Sequence, residues 1–279
     1  MFNALTIDVE DYFHVSAFEK YISPSDWDNY PLKVVDNTLR ILDLLDKFSV
    51  KATFFVLGWV AERRPLLIKE IQKRDHEIAC HGYGHSLIYR IGPKNFRKDI
   101  RRARMLLEDI CGIDIKGYRA PSYSITKESL WALDILIEEG FVYDSSIFPI
   151  IHDIYGISDA NRFPHEISTP SGVIKEFPMS TLKLRVLNFE YRIPIAGGGY
   201  LRLFPLWFIR RAINHINTQE RQPVVLYFHP WEIDPDQPKI NAGFKSRFRH
   251  YINIDKTLEK VKNLLPLYNF VLMRKILGT

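Results

Sequence analysis

Apolar positions along this chain follow two alternating rhythms. Some form short unbroken runs, and others recur every three or four residues. Ala4–Val9 is a run of the first kind and predicts a buried strand. Val34–Phe48 has the second rhythm, with Val35, Leu39, Leu42 and Leu45 in one stripe behind the cap candidates Asp36 and Asn37. Ala52–Leu57 predicts a second strand, Pro65–Lys73 a helix with proline at its start, and Glu77–Cys80 a third strand. A basic amphipathic helix is expected over Asn95–Ile110, stopped at Gly112, followed by a strand over Lys116–Arg119. Lys127–Glu139 predicts a helix stopped by Gly140, and Phe141–Asp144 a strand. Further on, Val173–Phe177, Val224–His229 and Phe270–Met273 read as strands, and Leu206–His215 and Asp255–Leu264 as helices. Pro149–Pro170 and Glu232–Gly243 predict long loops.

Strand–helix units repeated in this way call for parallel pairing, because parallel strands need crossover connections. The fold class expected is α/β, a distorted (β/α) barrel of about seven strands. At 279 residues the chain fits one full-sized domain, 1–279. Asp8, His81, Arg119, Asp144 and His229 all fall at the carboxyl ends of predicted strands, where barrel-type enzymes gather their active sites.

Composition narrows the picture further. Apolar residues make up 46% and charged residues 25%, as in an ordinary globular chain, and the formal net charge is +5. No run of five or more Lys or Arg occurs, so nucleic acid is not an expected partner. Cys80 and Cys111 are the only cysteines and are read as two reduced thiols. No secretory signal is visible after Met1, and no apolar stretch is long enough to span a bilayer. The expected location is the cytoplasm or the inner face of a membrane.

Candidate chemistry gathers in two segments, His81-Gly82-Tyr83-Gly84-His85 and Thr6-Ile7-Asp8-Val9-Glu10-Asp11. The glycines disfavour a helix and let a loop curl both imidazoles onto one ion. Strand alternation puts Asp8 and Glu10 on one side and Asp11 on the other. Several neighbouring acids are costly unless a cation neutralises them, so one would bind a metal while Asp8 takes a proton from water. His229 would be a general acid. Arg119, ending a buried strand, needs a carboxylate partner, for which Asp8 is a candidate.

In order, these pieces resemble the five motifs of the polysaccharide deacetylases, carbohydrate esterase family four. Thr6–Asp11 is similar to the first motif, His81–His85 to the second, Arg119-Ala120-Pro121 to the third, Tyr143-Asp144-Ser145 to the fourth and Phe228-His229 to the fifth. A closer resemblance is to the subgroup found beside exopolysaccharide and exosortase genes, through Asp8–Phe13, Gly197–Tyr200, Phe228–Pro235 and Ser246–Tyr251. This would make the part from about 196 subgroup-specific. The resemblance implies Asp8 as base, His229 as acid and Arg119 as the residue that orients Asp8. It implies His81, His85 and either Glu10 or Asp11 as ligands of a divalent metal, with Glu10 preferred for its same-side geometry. Zinc is expected first, with cobalt, nickel or iron as other candidates. It also implies Pro121, Ser122, Tyr123, Asp144 and Trp231 as substrate-binding residues, a backbone N–H near Ser122 facing the oxyanion, and Tyr83, Phe148 and Tyr200 as further stacking surfaces. The implied reaction removes N-acetyl groups from hexosamines of an exopolysaccharide or its precursor. A cyclic ureide, as in allantoinase-like proteins, and a non-catalytic glycan-binding role are the alternatives. The oligomeric state is not legible.

Overall fold

The computed structural model describes residues 1–187 and 189–279. Its strands are β1 (Phe2–Val9), β2 (Thr53–Val56), β3 (Glu77–Cys80), β4 (Gly117–Tyr118), β5 (Tyr143–Asp144), β6 (His165–Thr169), β7 (Gly172–Glu176), β8 (Thr181–Val186), β9 (Phe189–Pro194), β10 (Val225–Phe228) and β11 (Asn269–Val271). Its α-helices are α1 (Val34–Lys47), α2 (Gly58–Arg63), α3 (Pro65–Lys73), α4 (Ile88–Cys111), α5 (Trp131–Glu138), α6 (Gly199–Leu203), α7 (Leu206–His215), α8 (Phe244–Tyr251), α9 (Thr257–Leu264) and α10 (Met273–Leu277).

Seven strands run in parallel in the order β10-β1-β2-β3-β4-β5-β7, as the strand–helix alternation requires. β11 pairs with β1 in parallel, and β6 joins β7 antiparallel. The chain is thus an α/β fold built on a parallel sheet. β1 lies between β10 and β2, with β11 also pairing it, and from Asn3 to Val9 it is wholly buried. This explains its near-continuous apolar sequence. No strand ladder closes the sheet among the described residues. The gap beside β10 is spanned by Gly197, bridged to Tyr227, and by Ser180, whose hydroxyl accepts from the Val225 N–H at 2.9 Å. Only glycine fits there, since a Cβ on Gly197 would lie 1.8 Å from the Tyr227 carbonyl oxygen.

Several boundaries differ from the sequence reading. α4 begins at Ile88 rather than Asn95. It absorbs Pro93 at a kink where Gly92 takes φ +71°, which restarts the helix instead of ending it. The predicted loop 149–170 contains β6, whose alternating half-buried pattern is too polar to mark a strand. The hairpin β8–β9 and the short helices α2, α6, α8 and α10 carry no long periodic signal and were not expected. Residues 230–233 form a 3₁₀ turn, and 234–243 have no helix or strand.

Asp144 does not face the mouth of the sheet. It is fully buried, opposite Glu176 of β7 in register, and accepts from Ser146 Oγ at 2.5 Å, while Glu176 Oε1 accepts from the Ile147 N–H at 3.0 Å. Burial pushes Asp144 up to about 6. Burial and then the charge of Asp144 push Glu176 well above the usual carboxyl range. Two adjoining buried carboxyls cannot both ionise, so the pair holds a proton.

Both acids titrate higher in the folded chain than in the unfolded one. Their contribution is therefore present below the unfolded carboxyl range and is lost as pH rises through the folded values. Glu176→Gln keeps a donor facing Asp144 and removes one of these groups. Its melting temperature should fall less than the parent's between about pH 5 and pH 8, by on the order of a few degrees. Parallel melting profiles would overturn the shared proton.

Candidate active site

The carboxyl ends of β1, β3, β4 and β10 open into one cavity of about 470 Å³. Asp8, Glu10, His81, His85, Ser122, Tyr123, Tyr200, His229 and Trp231 line it. The two chemically loaded segments therefore meet. His85 Nε2 lies 2.6 Å from Glu10 Oε2, and His81 Nε2 lies 4.0 Å from the same atom.

The histidine loop is held from below. Asp99, on α4, accepts the Tyr83 N–H at 2.7 Å and the Gly84 N–H at 3.1 Å. Gly82 takes φ +71°, and a Cβ there would press to 2.8 Å against Asp99, so this position needs glycine. The Nδ1–H of His81 donates to the Arg119 carbonyl at 2.8 Å. That bond turns Nε2, with its lone pair, towards Glu10. Burial lowers His81 to about 4, which favours the neutral ring.

One atom per side chain of Glu10, His81 and His85 can be chosen so that all three lie within 4.8 Å of one another. Glu10 is buried, which alone would raise its carboxyl. The imidazoles of His85, His229 and His81 outweigh burial and hold it well below the usual range. Its Oε2 accepts no aligned hydrogen bond despite the closeness of His85. Lone pairs of an acid and two imidazoles converging on a buried spot make a donor set that fits a divalent cation with mixed nitrogen and oxygen ligands.

Asp11 is not part of that set. Its Oδ2 accepts the N–H groups of Lys33 at 2.6 Å and Val34 at 2.8 Å, and its Oδ1 accepts the Tyr12 N–H at 2.9 Å. It thus fixes the first turn of α1 to the end of β1. Of the two acids, Glu10 is the one whose carboxylate lies beside the imidazoles, on the side strand alternation suggests.

Asp8 lies beside this cluster. Arg119, fully buried, donates from Nη1 to Asp8 Oδ1 at 2.7 Å and to Thr6 Oγ1 at 2.7 Å. Nε and Nη2 reach the Ser145 carbonyl and hydroxyl at 3.1 and 3.0 Å, and the guanidinium lies over the Phe55 ring. On the opposite side, His229 Nε2 stands 3.9 Å from Asp8 Oδ2 and 3.6 Å from Glu10 Oε1.

His229 has a support that the sequence reading missed. Its Nδ1–H and its backbone N–H both donate to Glu232 Oε2 at 2.9 Å, and Glu232 Oε1 accepts from Arg202 Nε at 2.7 Å. Burial works against charge on His229, but the carboxylates of Glu10, Glu232 and Asp8 push it up to about 9. Trp231 stacks between His229 at 5.1 Å and His250 at 4.1 Å, and its Nε1–H points to Glu10 Oε1 at 3.4 Å. A carboxylate three residues after a strand-ending histidine was the available signal for Glu232. Arg202 offered none, and His250 only its place in the Ser246–Tyr251 resemblance, because it is the fold that brings them there.

The predicted substrate-binding residues divide. Ser122, Tyr123 and Trp231 line the cavity, with Ser122 and Tyr123 both in the left-handed region and Ser122 Oγ 2.6 Å from Ser16 Oγ. Pro121 and Asp144 do not reach it. Among the aromatics, Tyr200 lines the wall, and Phe148 is buried behind Tyr155, stacked at 5.6 Å. Tyr83 instead lies under Arg102 and donates to Glu62.

Because Asp11 accepts from three backbone donors and from none of the cluster's atoms, Asp11→Ala should cost stability and leave untouched any ion that Glu10, His81 and His85 would hold. The expected loss in urea unfolding is about 1–3 kcal/mol, with zinc stoichiometry unchanged in equilibrium dialysis. Loss of zinc with normal stability would return Asp11 to the ligand set.

The polysaccharide deacetylase family model matches residues 25–136, and a domain family of unknown function (DUF3473) matches residues 145–278. A peptidoglycan-N-acetylglucosamine deacetylase of Bacillus cereus is 30% identical over 151 residues, 48% of this chain and 52% of that protein. A chitooligosaccharide deacetylase of Sinorhizobium fredii is 32% identical over 100 residues, 36% of this chain and 44% of that one. The chain spans about half or less of the length of such curated relatives. Among solved structures, a putative polysaccharide deacetylase from Mycobacterium smegmatis aligns with TM-score 0.62 at 23% identity, covering 99% of this chain and 88% of that one. A probable polysaccharide deacetylase from Pseudomonas aeruginosa aligns with TM-score 0.62 at 14% identity, covering 99% and 89%; both likenesses speak to the fold. The match over residues 25–136 and the names of the sequence relatives together liken that part of the chain to the polysaccharide deacetylases.

Proposed function

We propose that this chain hydrolyses the N-acetyl group of hexosamine residues in a glycan, releasing acetate and a free amine. The observation that carries the reading is the convergence of Glu10, His81 and His85 on the floor of one cavity, with Asp8 and His229 beside them. Glu10, His81 and His85 would hold a divalent metal, zinc first, which when bound supplies Lewis acidity and lowers the pKa of water.

The remaining steps belong to the chain's own groups. Asp8 takes the proton of the attacking water, with one carboxylate oxygen anchored by Arg119 and the other free towards the cavity. The N–H of Ser122, at the cavity wall, is the donor proposed for the oxyanion that forms on the substrate carbonyl. His229 presents Nε2 while Glu232 holds Nδ1, so a proton can pass from Nε2 to the departing nitrogen. Water addition and amine protonation together balance the cleavage of the amide C–N bond.

We further propose an exopolysaccharide or its precursor as the glycan. Support comes from where the subgroup-like segments lie: Tyr200, His229, Trp231 and Phe248, one or more from each of three segments, all line the cavity.

The decisive experiment couples metal analysis to acetate release from acetylated chitooligosaccharides. Chelation should abolish release and zinc should restore it. Asp8→Asn should retain zinc and lose about 10²-fold or more in kcat, whereas His85→Ala should lose the zinc itself. Parent-level turnover by Asp8→Asn, or by the chelated protein, would sink the proposal.

Glu232→Gln should lower kcat by about 10–100-fold with KM little changed, since it loosens the orientation of His229 without touching substrate. A rise in KM alone would show that Glu232 acts on the glycan rather than on His229.

A further inference from the structure

Around the cavity mouth lies a rim that takes no part in the hydrolytic steps, although Phe248 also lines the cavity. α8 places Phe244 and Phe248 one turn apart with ring centroids 6.2 Å apart, 85% and 52% exposed. At 100° per residue, Arg247 flanks this pair on one side and Lys245 and Arg249 flank it on the other. From Gln237 to Ile254 the sequence has four cations, Lys239, Lys245, Arg247 and Arg249, and no carboxylate. Leu203 at the end of α6, 49% exposed, lines the same cavity as Phe248 and Arg249. Ile151, 90% exposed, belongs to the neighbouring loop. That loop's Asp153 faces α8, 3.9 Å from Lys245 and 3.8 Å from Arg249.

We propose that this rim is a contact surface for an anionic lipid bilayer, with Phe244 and Phe248 entering the headgroup region and the α8 cations pairing with lipid phosphates. Exposed apolar residues are ordinary when scattered. A stacked aromatic pair ringed by cations is the arrangement of interfacial helices, which combine apolar burial with attraction to anionic lipid. Phenyl rings alone would also suit a sugar chain. Leu203 and Ile151 offer sugars no flat face, however, and a neutral N-acetylhexosamine chain gives the α8 cations nothing to pair with. The geometry would hold the cavity mouth at the membrane surface, where a lipid-borne glycan would meet it. The surface exists whether or not the cavity performs the proposed hydrolysis, so the two stand or fall separately.

The test is cosedimentation of the full chain with vesicles of phosphatidylcholine alone and with about 30% phosphatidylglycerol, at low and high salt. Binding is expected only to the anionic vesicles and should weaken with salt. Phe244→Asp and the double variant Lys245→Glu/Arg247→Glu should each lower the partition coefficient by about tenfold or more, with unchanged thermal melting. Equal binding to both vesicle types, parent-level binding by Phe244→Asp, or no vesicle binding would overturn the proposal. So would protection of α8 from hydrogen exchange by acetylated chitooligosaccharide but not by vesicles, which would give the rim to the glycan.

Discussion

Arg119 carries a positive charge into a place sealed from solvent, and desolvating a guanidinium costs several kcal/mol unless its donors find acceptors. Every acceptor it finds is a fixed point of the site. Asp8 and Thr6 belong to β1, and Ser145 follows β5. Its own carbonyl orients His81, and its amide donates to Cys80 at the end of β3. Four strand ends are thereby tied through one residue. A shift of any of them would leave a buried charge short of a partner, so the placement of Asp8 and of the His81 ring follows from satisfying Arg119. The site is rigid because misplacement is costly, and that rigidity is what the proposed base requires.

The second constraint is the excess of buried acids. Asp8, Glu10 and Glu232 share a small volume, and each has a cation or imidazole assigned to it: Arg119 for Asp8, the three imidazoles for Glu10, Arg202 and His229 for Glu232. Asp11 escapes the conflict by turning to backbone donors. Asp144 and Glu176, without a cation, keep a proton instead. Neighbouring carboxyls thus meet three different fates according to what lies within about 3 Å.

Much of this was legible because it rests on local rules. A strand's period of two put Asp8 and Glu10 on one side. The glycines of His81–His85 announced a loop, and the apolar runs gave the parallel strands with their carboxyl ends. What failed to show depends on long-range placement. Asp144 reads as a rim residue because it ends a strand, yet that strand is two residues long and its acid turns under the sheet towards β7. Arg202 and His250 support His229 from 27 residues before and 21 after, and no pattern along the chain relates them. Phe148 is aromatic at a plausible position, but Tyr155 stands between it and the cavity.

That division has a structural meaning. The proposed ligands His81 and His85 lie inside the polysaccharide deacetylase match over 25–136, and Asp8 and Glu10 lie just before it. The proposed acid, its brace and the cavity rim come from the second half, matched by the other domain family over 145–278. His229 is held by a carboxylate on its own turn, then by Arg202, then by carbonyls of α8. The helix that forms the exposed rim therefore also helps to fix the histidine's support. The rim helix and the support of His229 thus meet at the Arg202 guanidinium, and again at Trp231, stacked between His229 and His250 of α8.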